Sequence, residues 1–300
     1  MVALLLLSLL LSGSPSHSNA VTNYEARQTI DLHGTSVEHK VLDQKGYSIH
    51  YFISGNKTGE LIIFLHPAFA DHRSFDNQVS FFSHEYRVII LDMLGHGLSK
   101  VGKSKDKIDC TVEHIDSIMK IEGYTKAHIV GVSAGSLLAQ YFALQYPQKV
   151  LSLTVLGGFN INEKNREISK SQHIEKVELA FKALFSMNSF RKEVSRTNVT
   201  SLEEQKKYYE MSSLFTRKSF KAMSGMGKIL KNREDVKHEY PLMIMVGEKD
   251  INLAHNINNQ WHEEDPDAKY CIIEGAGHCA NMDNPDEFNK TLLKFLKKEN

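Results

Sequence analysis

Four short runs of this chain are apolar at nearly every position, and that continuity constrains the fold more tightly than any other feature of the sequence. LIIFLH (61–66), RVIILD (87–92), AHIVGV (127–132) and VLSLTVL (150–156) lack the alternating polar positions of a strand with one wet face. Strands of this kind are buried on both faces, so helices must cover both sides of their sheet. Two more runs follow late, PLMIMVG (241–247) and AKYCIIEG (268–275), and the alternating segment 47–54 predicts an outer antiparallel strand paired with 36–42. Between the early strands, Val112, Ile115 and Met119 recur at helical spacing. Residues 136–146 are apolar nearly all round, which predicts a buried helix ended by Pro147. This alternation specifies an α/β fold with a mostly parallel, doubly wound sheet.

Residues 159–236 break the rhythm. They show helical periodicity without a convincing strand, and are predicted to form a helical cap inserted into an α/β core made of 21–158 and 237–300. Ile174, Val177, Phe181, Leu184 and Phe185 mark one helix. Ser201 and Glu204 form a capping-box start to a second, and Phe220, Met223 and Leu230 mark a third. Met and Phe are frequent in the segment, and most of them are expected to pack its helices together. Phe159, Phe185, Met187, Phe215 and Met223 are the candidates for lining an apolar substrate pocket.

At the amino terminus, VALLLLSLLLS (2–12) is shorter than the roughly 20 residues of a membrane-spanning helix but fits the apolar region of a signal peptide. Ser18-Asn19-Ala20 offers a cleavage site, although no Lys or Arg precedes Arg27. Residues 1–20 are therefore read as a signal peptide or an N-terminal anchor. Export to a secreted or cell-surface location is expected, with a cytoplasmic or membrane-anchored form as the alternative. Asn56, Asn198 and Asn289 each head a glycosylation sequon. Thirty-six Lys and Arg balance 36 Asp and Glu, so the chain lacks the positive field that nucleic-acid binding requires. Its three cysteines, Cys110, Cys271 and Cys279, are too few for a disulfide framework and read as free thiols, mostly buried.

The chemistry concentrates in three places. Gly131-Val132-Ser133-Ala134-Gly135 lies directly after a predicted strand and directly before a predicted helix, the context of a nucleophile elbow. Asp250 ends the next-to-last strand in Gly247-Glu248-Lys249-Asp250, and His278 follows the last strand in Gly275-Ala276-Gly277-His278. The order Ser, Asp, His, each at the carboxyl end of a strand, suits a hydrolase triad on a parallel sheet.

With these motifs, together with Leu65-His66-Pro67-Ala68, Asp92-Met93-Leu94-Gly95-His96-Gly97-Leu98-Ser99 and Pro285-Asp286-Glu287-Phe288, the chain resembles the cap-bearing serine hydrolase branch of the α/β-hydrolase fold superfamily. The resemblance covers roughly residues 45–298. It implies Ser133 as nucleophile, His278 as base and Asp250 as the acid that orients it. It also implies an oxyanion hole built from the N–H of Ala134 and that of Ala68, with Phe69 as the fallback. Where relatives usually carry His-Gly, this chain has His66-Pro67, and a proline contributes no N–H. A serine at the elbow separates the chain from the similar epoxide hydrolases and haloalkane dehalogenases, which use an aspartate nucleophile.

The remaining candidates have quieter readings. His66 and His96 are expected to hydrogen-bond backbone, Cys279 to pack, and Asp71, Asp76 and Asp283 to be solvated loop carboxylates. Asp92 lies on the wrong side of the elbow in chain order for the acid role. No metal-ligand spacing and no phosphate loop is present, so neither metal nor cofactor is implied. The expected function is hydrolysis of a small-molecule acyl substrate of small or medium size, a carboxylic ester first. Thioester, lactone or carbon–carbon bond hydrolysis on the same triad and a non-catalytic binding protein are the alternatives. A membrane contact is expected only through an uncleaved N-terminal segment.

Overall fold

The apolar runs form the strands predicted for them. The computed structural model describes residues 24–32, 34–161, 186–230 and 238–298; the leader at 1–20 and the predicted helix ending at Phe185 lie outside them. The strands are β1 (Tyr24–Leu32), β2 (Thr35–Gln44), β3 (Tyr47–Gly55), β4 (Leu61–Leu65), β5 (Arg87–Leu91), β6 (Ala127–Val132), β7 (Val150–Leu156), β8 (Leu242–Gly247) and β9 (Lys269–Ile273). They make one sheet in the order β1-β2-β3-β5-β4-β6-β7-β8-β9. The three pairings from β1 to β5 are antiparallel and the rest parallel. Every residue of β4, β5, β6 and β8 is buried, as their unbroken apolar sequences require. The segment 47–54 does pair with 36–42, but it is not the edge: β1, whose polar sequence YEARQTIDL gave no strand signal, lies outside β2.

Helices α1 (Asp76–Phe82), α2 (Thr111–Ile121) and α3 (Ala134–Gln145) connect the early strands. All of α3 from Ala134 to Ala143 is buried, and Pro147 follows its end. Past β7 come α4 (Met187–Asn198), α5 (Leu202–Ser212) and the short α6 (Ser219–Met223) and α7 (Met226–Ile229). Ser201 caps α5 as predicted, its Oγ accepting the Glu204 N–H at 3.1 Å, while the Glu204 carboxylate accepts from Lys207. The third predicted helix is broken in two by Ser224 and Gly225, and α4 was not anticipated. After β8 come α8 (Asn252–Glu264), α9 (Ala280–Asp283) and α10 (Pro285–Leu296). Among the described residues no helix is long and apolar enough to cross a membrane.

The sheet order places the site. From β4 the chain moves to β5 on one side and later to β6 on the other, so the loops after β4 and β6 diverge and leave a crevice at the carboxyl ends of the strands. Those loops carry His66–Ala70 and Ser133. The sequons fare differently: Asn289 is 3% exposed with its amide bonded to Asn77 and Gln78, and Asn198 Nδ2 donates to Val194 O at 2.6 Å. Asn56 sits exposed in a turn that its own side chain closes on Thr58.

Candidate active site

Ser133 joins β6 to α3 in a backbone conformation that side chains rarely adopt, φ 53° and ψ −112°. Such a residue costs about 1–3 kcal/mol and persists only where its surroundings enforce it. Enforcement is visible at both flanking glycines. A β-carbon on Gly131 would lie 2.4 Å from Gly135 O, and one on Gly135 would lie 2.0 Å from Leu65 O. The turn is therefore closed to any larger residue at either position, and Ser133 is left at its apex. Ala134 opens α3, where the first N–H groups have no acceptor within the helix and the helix dipole favours negative charge.

His278 and Asp250 come together from the loops after β9 and β8. His278 Nδ1 lies 2.8 Å from Asp250 Oδ2, and each side chain is 4% exposed. A carboxylate only accepts, so Nδ1 carries the proton and Nε2 of the neutral ring is left as the acceptor. Burial disfavours the charged form of Asp250, but the adjacent His278 outweighs it, and with the Ile251 N–H holds the carboxyl below its usual range. The imidazole rests on Gly157, where an added β-carbon would meet its Cε1 at 2.9 Å. The residue before it, Leu156, accepts the Ser133 N–H at 2.8 Å. Serine, histidine and aspartate thus converge on the end of β7.

The loop after β4 is braced from below. His66 Nε2 accepts the Met93 N–H at 3.0 Å, so its Nδ1 is the donor to Pro67 O at 2.8 Å. Ala68 is 5% exposed, and Phe69 has φ 68° in the left-handed region. Behind them Asp71 is fully buried and bound by the Arg73 guanidinium, a correction to its solvated reading. The Asp92 carboxylate accepts from His72 and the Leu98 N–H, so it is committed away from His278. Burial opposes charge on His72 and Asp92 alike, yet their mutual attraction wins, raising the imidazole and lowering the carboxyl. Asp71, His72 and Asp92 each place one ligand atom within 4.8 Å of the others, a composition that suits a metal, but those atoms already serve these bonds.

Another expectation needs revision. Asp283 is half-buried and bonds the Thr200 and Gly277 N–H groups, tying the insertion to the histidine loop. His96 is buried against His66 and Phe215, over the backbone of Met93 and Leu94. Burial pushes its basicity well down, leaving a neutral imidazole. Cys279 packs as expected: it is buried with its thiol pushed well up, again by burial, and its N–H donates to Asn198 O.

Of the pocket candidates, Phe185 lies outside the described residues, Phe159 is 6% exposed two residues past Gly157, and Met187 is half-buried at the start of α4. Phe215 and Met223 are buried. Phe215 packs edge-to-face on Phe69 and Phe220, each 4.9 Å between centroids. Because this ring fills an enclosed aromatic cluster, Phe215→Ala should cost about 3–5 kcal/mol of stability, read as a lowered midpoint in denaturant unfolding. A cavity of about 280 Å³ opens between Arg196–Thr200 and the Asp250–His278 pair.

Residues 60–285 match the profile of the alpha/beta hydrolase fold family. The chain belongs to that family. It is 24% identical over 289 residues to human "Epoxide hydrolase 4", covering 86% of this chain and 78% of that protein. It is 23% identical over 262 residues to "(E)-2-((N-methylformamido)methylene)succinate hydrolase" of Acinetobacter baylyi, covering 83% and 94%. The solved structure of the enol-lactonase from Burkholderia xenovorans LB400 superposes with a TM-score of 0.69 at 18% identity, covering 90% and 100%, a likeness of fold alone. Within this hydrolase one residue at the site carried no sequence signal: Tyr208 of α5, whose partner lies 140 positions away in the loop after β4.

Proposed function

We propose that this protein is a serine hydrolase that cleaves a small or medium acyl substrate, a carboxylic ester first, through Ser133, His278 and Asp250. The reading is carried by one observation, a serine held at positive φ at the elbow beside a buried His278–Asp250 pair. In the reaction His278 Nε2 takes the Ser133 proton as Oγ bonds to the acyl carbon, and the carbonyl electron pair moves onto oxygen. The oxyanion is held by the N–H groups of Ala134 and Ala68, or Phe69 in its place. Collapse breaks the bond to the leaving alkoxide, which receives the proton from His278. Water then repeats the sequence on the acyl-enzyme and releases the acid.

Chemistry favours an acyl substrate over an epoxide, despite the names of several relatives. Serine attack on an epoxide carbon leaves an ether, which has no carbonyl for water to attack. A carboxylate nucleophile would leave a hydrolysable ester, but the elbow holds serine. The test is a panel of nitrophenyl ester, thioester, lactone and diketone substrates. The ester is expected to show the highest kcat/KM, with a graded preference for apolar acyl groups, because apolar walls discriminate by only about 1–3 kcal/mol per methylene. A lactone or diketone preferred over every ester would move the assignment to that class. Absence of turnover across the panel would favour a binding protein.

A further inference from the structure

We propose that Tyr208 is a positioning residue for the oxyanion loop: from the inserted helices, its hydroxyl holds the Ala68–Phe69 peptide in an orientation that the local backbone disfavours. The inference rests on the serine hydrolase reading for its consequence in catalysis, but its geometry stands alone. Tyr208 is fully buried, and its hydroxyl donates to Ala68 O at 2.6 Å. Burial pushes the phenol far above its ordinary range, so it remains a donor at every pH the fold tolerates.

A trans peptide is planar, so holding the carbonyl of Ala68 also points the Phe69 N–H the opposite way. The Ala68 N–H belongs to the preceding peptide and keeps its aim whichever way this one turns. Of the loop's two oxyanion-hole candidates, the Phe69 N–H is the one governed by a bond from α5. The orientation is not the relaxed one, because it places Phe69 at φ 68°. Rotating this peptide by half a turn would return Phe69 to negative φ and exchange its N–H for a carbonyl, a dipole that repels an oxyanion.

What opposes the rotation comes from the insertion. Besides the Tyr208 bond, the Phe69 ring is clamped edge-to-face by Phe190 and Phe215, each 4.9 Å between centroids. Among the described residues the core strands make no hydrogen bond to this peptide; within the loop itself the Ala70 N–H donates to Pro67 O at 3.3 Å. The helices after β7 thus complete the site by fixing a backbone unit as well as by covering it.

The experiment is Tyr208→Phe in the full chain, which deletes only the hydroxyl. Losing one oxyanion donor costs about 10²–10³-fold, so a partly populated flip should lower kcat/KM for a nitrophenyl ester about 10–100-fold with KM little changed. Affinity for a trifluoromethyl ketone, which Ser133 converts to a tetrahedral oxyanion, should fall in the same ratio. In a Phe69→Gly background, where positive φ is free of strain, the penalty should shrink at least threefold. Unchanged kcat/KM and ketone affinity, or a rise in KM alone, would overturn the proposal. So would an undiminished penalty with Gly at position 69. The crystal structure of Tyr208→Phe decides independently of turnover: Phe69 at negative φ supports the device, and Phe69 kept near its present φ refutes it. A parent enzyme without Ser133-dependent turnover would refute the hydrolase reading and leave that structural test intact.

Discussion

A fluorophosphonate probe is expected to label this protein at Ser133 and at no other serine, and Ser133→Ala to lose ester turnover on the order of 10⁶-fold. Ordinary serine hydroxyls are weak nucleophiles, so reactivity requires a nearby base and the strained turn of the elbow. Ser133 is held at φ 53° with its N–H on Leu156 O, and the imidazole of His278 rests on the next residue, Gly157. Intact mass followed by peptide mapping reads the label, and a continuous nitrophenyl assay reads the loss. A folded protein that takes up no label, or takes it elsewhere, would remove Ser133 from the mechanism.

Asp250→Asn is expected to retain the fold and reduce turnover by about 10⁴-fold. Its carboxylate accepts the Nδ1 proton of His278 at 2.8 Å, and an amide can present an N–H there instead, which leaves Nε2 protonated and useless as a base. Turnover of the parent should fall as acid protonates His278, because a protonated base cannot accept the serine proton. The same pair contributes to stability with a definite sign. Since the folded-state pKa of Asp250 is lowered, its contribution is complete above the unfolded value of about 3.9 and is lost as pH falls through the folded value. Acid unfolding of the parent and of Asp250→Asn should therefore differ above pH 4 and converge below it. An Asp250→Asn enzyme with parental kcat, set against an inactive Asp92→Asn, would reassign the acid to the wrong side of the elbow.

What the amino-acid sequence determined by itself depends on near neighbours in the chain. Runs such as LIIFLH and AHIVGV declare buried strands because burial on both faces demands apolar residues at consecutive positions. The elbow is legible because its two glycines answer clashes within a few residues and with the adjoining strand end. Tertiary structure decided what depends on distant partners. Whether β1 pairs, whether Asp71 and Asp283 are solvated, and whether Asn198 and Asn289 are accessible all turned on groups brought from elsewhere in the fold. A loop carboxylate is solvated by default, and only folding supplies the Arg73 guanidinium or the Thr200 and Gly277 N–H groups that alter its state. Tyr208 is the extreme case. In sequence it is one of two adjacent tyrosines on a helix, and only the packing of the insertion over the sheet end brings its hydroxyl to the carbonyl of Ala68.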